Sequence, residues 1–243
     1  MDDYSAYLTG VTRDQSFPYV RPKDAATLIL IDRSDVVPQV LLGRRHHGHE
    51  FLPGKFVFPG GRVEPADREM AATARLDPKM EEQLMRRVKR PSPILARALA
   101  LAAVRETFEE TGLLLGAKSA NVPEVSDGPW AAFLRAGFQP DLTAIHFVAR
   151  AITPPGRPRR FDTRFFAADA SAIAHRISDV VGPNSELVEL VWLPITEAEQ
   201  LDMPAITSVM LKELEARVAD GFGHDLRVPF YRMLHKRFTR ELL

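Results

Sequence analysis

Short apolar runs separated by polar turns dominate the first quarter of the chain. Residues 26–32 (ATLILID) and 39–43 (QVLLG) lie on either side of a polar RSDVVP segment, which is the pattern of a β-hairpin. A third run, 55–58 (KFVF), stops at Pro-Gly-Gly. Later apolar runs predict three more strands, at 143–152, 161–167 and 187–193.

Helical patterns occupy the intervals between these strands. At 77–90 (DPKMEEQLMRRVKR) an Asp-Pro pair is followed by acids early and bases late, as caps and the helix dipole favour. Ser92 has the features of an N-cap with Pro93 behind it, and Gly112 is suited to end that second helix. Two more helices are predicted at 196–201 and 203–219, and a loop at 118–130.

Composition narrows the classes of protein that the chain can represent. With 243 residues, 45% of them hydrophobic, and no internal repeat or linker, the pattern favours one α/β domain over residues 1–243. Lys plus Arg equals Asp plus Glu at 32 each, so no overall field attracts nucleic acid or an anionic membrane. There is no cysteine, and MDDYSAYLTG contains no apolar signal region. We therefore expect a cytoplasmic protein, and a homodimer is compatible with this prediction.

Three glutamates gather in the stretch VRETFEETG. At 100° per residue, Glu106, Glu109 and Glu110 fall on one side of the helix. The core stripe lies opposite them and consists of Leu101, Val104, Phe108 and Leu115. A solvated face is one explanation, but Glu106 and Glu110 repel each other at this spacing. The other explanation is a cleft that holds a cation, and clustered carboxylates without thiolates suit Mg²⁺ or Mn²⁺.

The same stretch resembles the second half of the Nudix box, Arg-Glu-x-x-Glu-Glu-x-Gly, in the residues from Arg105 to Gly112. The first half of the box is similar to Gly61–Asp67, which follows Phe-Pro-Gly. Asp67 and Arg105 are 38 positions apart where the motif has 8, so that 30 residues are inserted. A long insertion at this place is typical of the Nudix branch that includes coenzyme A diphosphatases.

The resemblance implies a role for each matching residue. Glu109 and Glu110 would bind the metal, and Glu106 would bind metal or act as general base. The Gly60 carbonyl would be a further ligand, and Arg105 would orient the carboxylates. Asp67 stands where the family usually has Glu, and its shorter side chain puts any helix-stabilising or metal role there in doubt.

Other candidates carry two explanations each. Arg45 lies in LLGRRHHGHEFLPGKFVFPGG, which partly resembles a coenzyme A motif but departs from it at three positions, including Glu50; a plain hairpin exit is the alternative. Arg160 and Arg164 would hold a substrate phosphate or lie in a solvated turn. Glu186 or Glu189 would supply a further metal ligand or a base, or simply flank a strand at the surface.

The predicted fold is a Nudix α/β/α sandwich with a mixed sheet. It carries a helical insertion at 68–97, expected beside the cleft and acting on substrate choice, and a C-terminal helical segment at 203–243. The predicted function is metal-dependent hydrolysis of a diphosphate bond in a nucleoside diphosphate derivative, foremost coenzyme A or an acyl-coenzyme A. The alternatives are an ADP-ribose or dinucleotide pyrophosphatase and a nucleotide-sensing module without catalysis.

Overall fold

The computed structural model describes residues 2–49, 51–119 and 127–243. Glu50, and residues 120–126 of the predicted loop 118–130, lie outside this described part. Its helices are α1 Asp3–Gly10, α2 Pro65–Glu69, α3 Pro78–Met85, α4 Pro93–Thr111, α5 Ala131–Arg135, α6 Ile195–Ala198 and α7 Ala205–Ala219, with a 3-10 turn at Ala170–Ala172.

The strands are β1 Lys23–Asp32, β2 Gln39–Arg45, β3 Phe56–Val57, β4 Gly60–Arg62, β5 Leu113–Leu114, β6 Gly116–Lys118, β7 Phe138–Pro140, β8 His146–Ile152, β9 Phe161–Asp169, β10 His175–Arg176, β11 Leu187–Pro194, β12 Pro229–Leu234 and β13 Arg237–Leu242. Nine of them form one sheet in the order β11-β2-β1-β9-β8-β12-β13, with β3 beside β2 and β4 beside β1. β1 runs parallel to β9, and β8 to β12, while the other pairs are antiparallel. The prediction of a mixed α/β fold is confirmed.

Helices cover both faces of the sheet because β1 presents apolar side chains in both directions. Leu28 and Leu30 belong to a core shared with α3 and α4. Ile29 and Ile31 belong to a second core, which is shared with α1, α6 and α7. Buried strands of this kind carry continuous apolar runs rather than an alternation. Within the described residues, none of the helices is both long and apolar enough to cross a bilayer.

Local capping signals define the helix that carries the glutamates. The Ser92 hydroxyl accepts a hydrogen bond from the Leu95 N–H, and Pro93 is the first helical residue. At the other end Gly112 has φ of 73°, a left-handed conformation that glycine adopts without strain. α3 begins in the same way, since Asp77 accepts from the backbone of Lys79 and Met80. These predicted helix starts agree with the structure, although α3 ends at Met85.

The predicted C-terminal helical segment 203–243 is wrong beyond Ala219. α7 ends there, and the last residues form the hairpin of β12 and β13. His235 and Lys236 connect the two strands with φ of 48° and 64°. Two positive φ values in a two-residue turn indicate type I′, which Asn-Gly usually marks. The chain lacks that sequence signal, so local pattern alone did not reveal the hairpin.

The insertion packs away from the glutamates. Met80 and Leu84 of α3 are buried in the core that α4 shares. The Gln83 amide donates to the Leu226 carbonyl, and Arg150 of β8 donates to the carbonyls of Arg86 and Arg87. None of residues 68–97, all of which the structure describes, lines the cleft beside the glutamates. The expectation that the insertion borders the cleft is therefore corrected, because its apolar residues are used to cover the sheet near β8.

Candidate active site

The three glutamates of α4 have different environments. Glu110 is buried, with 6% of its surface exposed. The side chains of Glu106 and Glu109 are 16% and 37% exposed. Glu106 and Glu110 line a cleft of about 410 Å³, whereas Glu109 does not. The solvated-face explanation therefore fails for Glu106 and Glu110.

Arg105 forms hydrogen bonds to two of these glutamates and to Asp67. Its guanidinium is almost fully buried and donates from Nη1 to Glu106 and Glu109, at 2.9 Å each. Nη2 donates to the Arg62 carbonyl, and Nε and Nη2 together hold Asp67. Burial alone would lower the pKa of Arg105, but the hydrogen bonds and charges of Asp67 and Glu106 raise it. Arg105 is thus a positioning residue rather than a group that touches substrate.

Asp67 forms more buried hydrogen bonds than its place in the sequence indicated. It is completely buried, and its carboxylate accepts two hydrogen bonds from Arg105 and one from the Trp130 indole. It also accepts from the Glu64 N–H, which closes a capping box at the start of α2. The structure thus gives Asp67 the helix-stabilising role that its shorter side chain had put in doubt. The shorter side chain fits because α2 packs closely against α4 at this point.

Two glycines of β4 allow this strand to approach α4 closely. A Cβ at Gly61 would lie 2.3 Å from Glu106 Oε1, and one at Gly60 would lie 2.5 Å from the Ala26 carbonyl. Gly60 opposes Thr27, and the Leu28 N–H donates to the Pro59 carbonyl. This register makes Gly60 a non-hydrogen-bonded pair, so its N–H and carbonyl both point away from β1. Its N–H donates to Glu110, and its carbonyl is directed to the same side.

Burial and crowding raise the pKa of the glutamates. Burial is the main cause for Glu106, whose pKa rises to about 7 with further contributions from Glu109 and Glu186, against the opposing effect of Arg105. The pKa of Glu109 is also raised, chiefly by burial. Burial and the charge of Glu186 raise the pKa of Glu110 well above its usual range. The cleft therefore concentrates carboxylates that protein cations do not fully neutralise.

This donor set fits a divalent cation of the Mg²⁺ type. Among the described residues, no three His, Asp or Glu side chains converge as a ready chelate, because Glu109 turns toward Arg105. What remains is Glu106, Glu110 and the Gly60 carbonyl, all oxygen donors. Mg²⁺ commonly binds through one or two carboxylates and completes its shell with water and substrate phosphate, so the residues present are compatible with it.

The two acidic candidates at the start of β11, Glu186 and Glu189, have different surroundings. The Glu186 side chain lines the cleft and forms an ion pair of 2.9 Å with Arg45, which also lines it. Glu189 pairs with Arg44 instead and does not line the cleft. Glu186 precedes β11, whereas Glu189 lies within it, opposite Arg44 of β2. The structure therefore brings Arg45 and Glu186 to the glutamates and leaves Glu189 outside.

The two predicted phosphate-binding arginines serve the fold instead. Arg164 is 1% exposed and bonds to Asp24 and to the Asp162 carbonyl. Arg160 donates to the carbonyls of Thr153 and Val20. Alternation along β9 directs Phe161, Thr163 and Phe165 to the cleft and Arg164 to the other face. The arginine of this region that lines the cleft is Arg159.

Two curated proteins are similar to this chain in sequence. The chain is 28% identical to chicken acyl-coenzyme A diphosphatase NUDT19 over a 211-residue alignment that covers 66% of this chain and 55% of that protein. It is 26% identical to the Xenopus laevis protein of the same name, covering 75% and 59%. It thus spans a little over half the length of the curated relatives. A scan against protein-family models found no match.

A solved structure matches this chain over most of its length. The crystal structure of a Nudix hydrolase from Alicyclobacillus acidocaldarius superposes with a TM-score of 0.59 at 28% identity, covering 81% of this chain and 92% of that one. The chain therefore shares the fold of a Nudix hydrolase and resembles Nudix proteins in sequence. The two halves of the segment that resembles the Nudix box are separated in sequence by α3 and adjacent in space, since Arg105 donates a hydrogen bond to Asp67.

Proposed function

We propose that this Nudix protein hydrolyses a diphosphate bond in a nucleoside diphosphate derivative with the help of Mg²⁺ or Mn²⁺. The observation that carries the proposal is the pairing of buried, incompletely neutralised Glu106 and Glu110 with an outward Gly60 carbonyl in one cleft. Clustered carboxylates are costly to bury unless a cation accompanies them. The names of the Nudix relatives support the same chemistry.

The residues of the cleft would have different roles in the reaction. Glu106, Glu110 and the Gly60 carbonyl would hold the cation, which when bound neutralises diphosphate charge and lowers the pKa of water. Arg105 keeps Glu106 and Glu109 in place. Glu186, which lines the cleft and pairs with Arg45 rather than with Arg105, would accept the proton of the attacking water. The water oxygen joins one phosphorus, and the bridging phosphorus–oxygen bond breaks to give two monophosphates.

Coenzyme A or an acyl-coenzyme A is the proposed substrate, giving a phosphopantetheine and adenosine 3′,5′-bisphosphate. The support is the name of the two curated relatives together with the Arg45 loop, whose guanidinium lies in the cleft. The competing proposal, hydrolysis of ADP-ribose or a dinucleotide, uses the same acidic residues and differs only in what the rest of the cleft accepts.

A substrate panel tests the proposal. Coenzyme A, an acyl-coenzyme A, ADP-ribose and a diadenosine polyphosphate are incubated with Mg²⁺, with Mn²⁺ and with a chelator, and the products are identified by chromatography. We expect metal-dependent release of adenosine 3′,5′-bisphosphate from the coenzyme A species. Turnover of ADP-ribose alone would support the competing substrate, and inactivity toward every diphosphate would overturn the proposed chemistry.

A further inference from the structure

The cleft has an aromatic end as well as an acidic end. The rings of Phe51 and Phe161 lie edge to face with centroids 6.1 Å apart and an interplanar angle of 69°. Both line the cleft, to which α7 also contributes Ile206. Neither ring is fully buried, so the pair keeps surface that faces the space inside the cleft. This end is chemically distinct from the carboxylates.

Two threonine hydroxyls lie among these apolar groups. Thr163 is on the same face of β9 as Phe161, and Thr207 is in the first turn of α7, where it is 5% exposed. Within the part of the chain that the structure describes, neither hydroxyl has a hydrogen-bond partner. Each can donate one hydrogen bond and accept others. The aromatic end therefore offers flat apolar surface together with unused polar groups.

We propose that Phe51, Phe161, Thr163 and Thr207 form the subsite for the nucleobase of the substrate. This inference rests on the proposed function and names which part of the nucleoside diphosphate derivative lies away from the acidic end. A heteroaromatic base stacks on a phenyl ring and presents polar edges to hydroxyls. An alkyl or acyl chain would cover both hydroxyls without a partner, which is unfavourable. The mixed chemistry thus favours a base over an acyl chain.

Arg45 links this subsite to the acidic end. Its Nε donates to the Phe51 carbonyl at 3.0 Å, and its Nη2 pairs with Glu186 at 2.9 Å. One mostly buried guanidinium therefore fixes the loop that carries Phe51 relative to a carboxylate of the reacting end. A cleft of about 410 Å³ is within the ordinary range for small-molecule sites. Base and diphosphate would occupy its two ends together.

The test compares three probes that share a diphosphate and differ in what is attached. In ADP a nucleoside with its base is attached to the diphosphate, and in geranyl diphosphate an apolar chain is attached. Inorganic pyrophosphate has no attached group. Dissociation constants are measured by calorimetry with Mg²⁺ for the wild type, Phe161→Leu, Phe51→Leu and Thr207→Val. Phe17→Leu, in an exposed ring outside this cleft, is the matched control, and thermal melts check that each variant is folded.

We expect ADP to bind more tightly than pyrophosphate in the wild type. Phe161→Leu should raise the Kd of ADP about tenfold and leave that of pyrophosphate unchanged, with Thr207→Val acting in the same direction. Equal losses for ADP and geranyl diphosphate, or no loss in either folded Phe variant, would overturn the subsite. If ADP binds through Phe161 while the substrate panel is inactive, the subsite stands and the proposed hydrolysis fails.

Discussion

Asp67 illustrates how one buried side chain can support a site without touching substrate. It receives hydrogen bonds from Arg105, Trp130 and the backbone of α2. Arg105 in turn holds Glu106 and Glu109. The position of the proposed metal ligand Glu106 therefore depends, through Arg105, on the Asp67 carboxylate. Loss of that carboxylate would leave the Arg105 charge buried with fewer partners.

At Asp67 we predict that Asp67→Asn destabilises the protein by about 3 kcal/mol, the cost of breaking a buried ion pair from one side. Urea denaturation measures this change. The control is Asp202→Asn, because Asp202 forms an exposed pair with Lys55, and it should cost less than about 1 kcal/mol. Equal effects of the two substitutions would show that the Asp67–Arg105 pair does not anchor the box.

At the scale of elements, the junction of β8 with the loop after α7 contains a histidine held in its neutral form. His146 stacks on His224 with ring centroids 4.1 Å apart and contacts Phe222. Burial, followed by the charges of His224, Arg217 and Arg33, lowers the pKa of His146 to about 4, with Asp77 opposing weakly. The unfolded chain takes up this proton near the ordinary value of 6.5.

The difference between the folded and unfolded pKa of His146 determines how stability changes with pH. Between pH 6.5 and 4 the unfolded state binds more protons at this position, so acidification removes stability. His146→Gln should reduce the loss of Tm between pH 7 and pH 5 by roughly 2–4 °C, whereas His175→Gln at an exposed position should not. Calorimetric melts at the two pH values measure it, and an unchanged loss in His146→Gln would contradict the assignment.

The insertion is a second element whose role the structure revises. Met80 of α3 is 1% exposed and packs in the core shared with α4. Met80→Ala should lower the free energy of unfolding by about 3 kcal/mol and leave the order of substrate preference unchanged. Lys79→Ala, one residue away and exposed, should change stability by less than about 0.5 kcal/mol. A shift in substrate preference without a loss of stability would contradict this prediction and indicate that the insertion acts on substrate choice.

At the scale of the whole molecule, what the sequence predicted depends on the range of the interaction. Ser92 and Gly112 act on their own helix, so the bounds of α4 were visible in the local pattern. The turn at His235 and Lys236 lacks the usual glycine or asparagine, and its hairpin gains support from β8, some 80 residues away in sequence. Such long-range pairing leaves no local trace.

For the candidate site, too, the success of the prediction depends on how far apart the residues lie in the sequence. The glutamates and Arg105 stand in one helical stretch and were predicted from their spacing and from resemblance. Thr207 and Phe51 come from separate loops and helices, and only the folded sheet brings them to the cleft. The role of Asp67 was left in doubt because its partners Arg105 and Trp130 are both distant in sequence.

The most direct test of the account is the turnover of the best diphosphate substrate by Glu110→Gln with saturating Mg²⁺. Removing this carboxylate should lower kcat by about 10²–10³-fold, while Tm without metal should not fall, because a buried charge is replaced by a neutral amide. Glu197→Gln, on the exposed face of α6, should keep kcat. A folded Glu110→Gln protein with the metal-dependent kcat of the wild type would contradict the proposed active site.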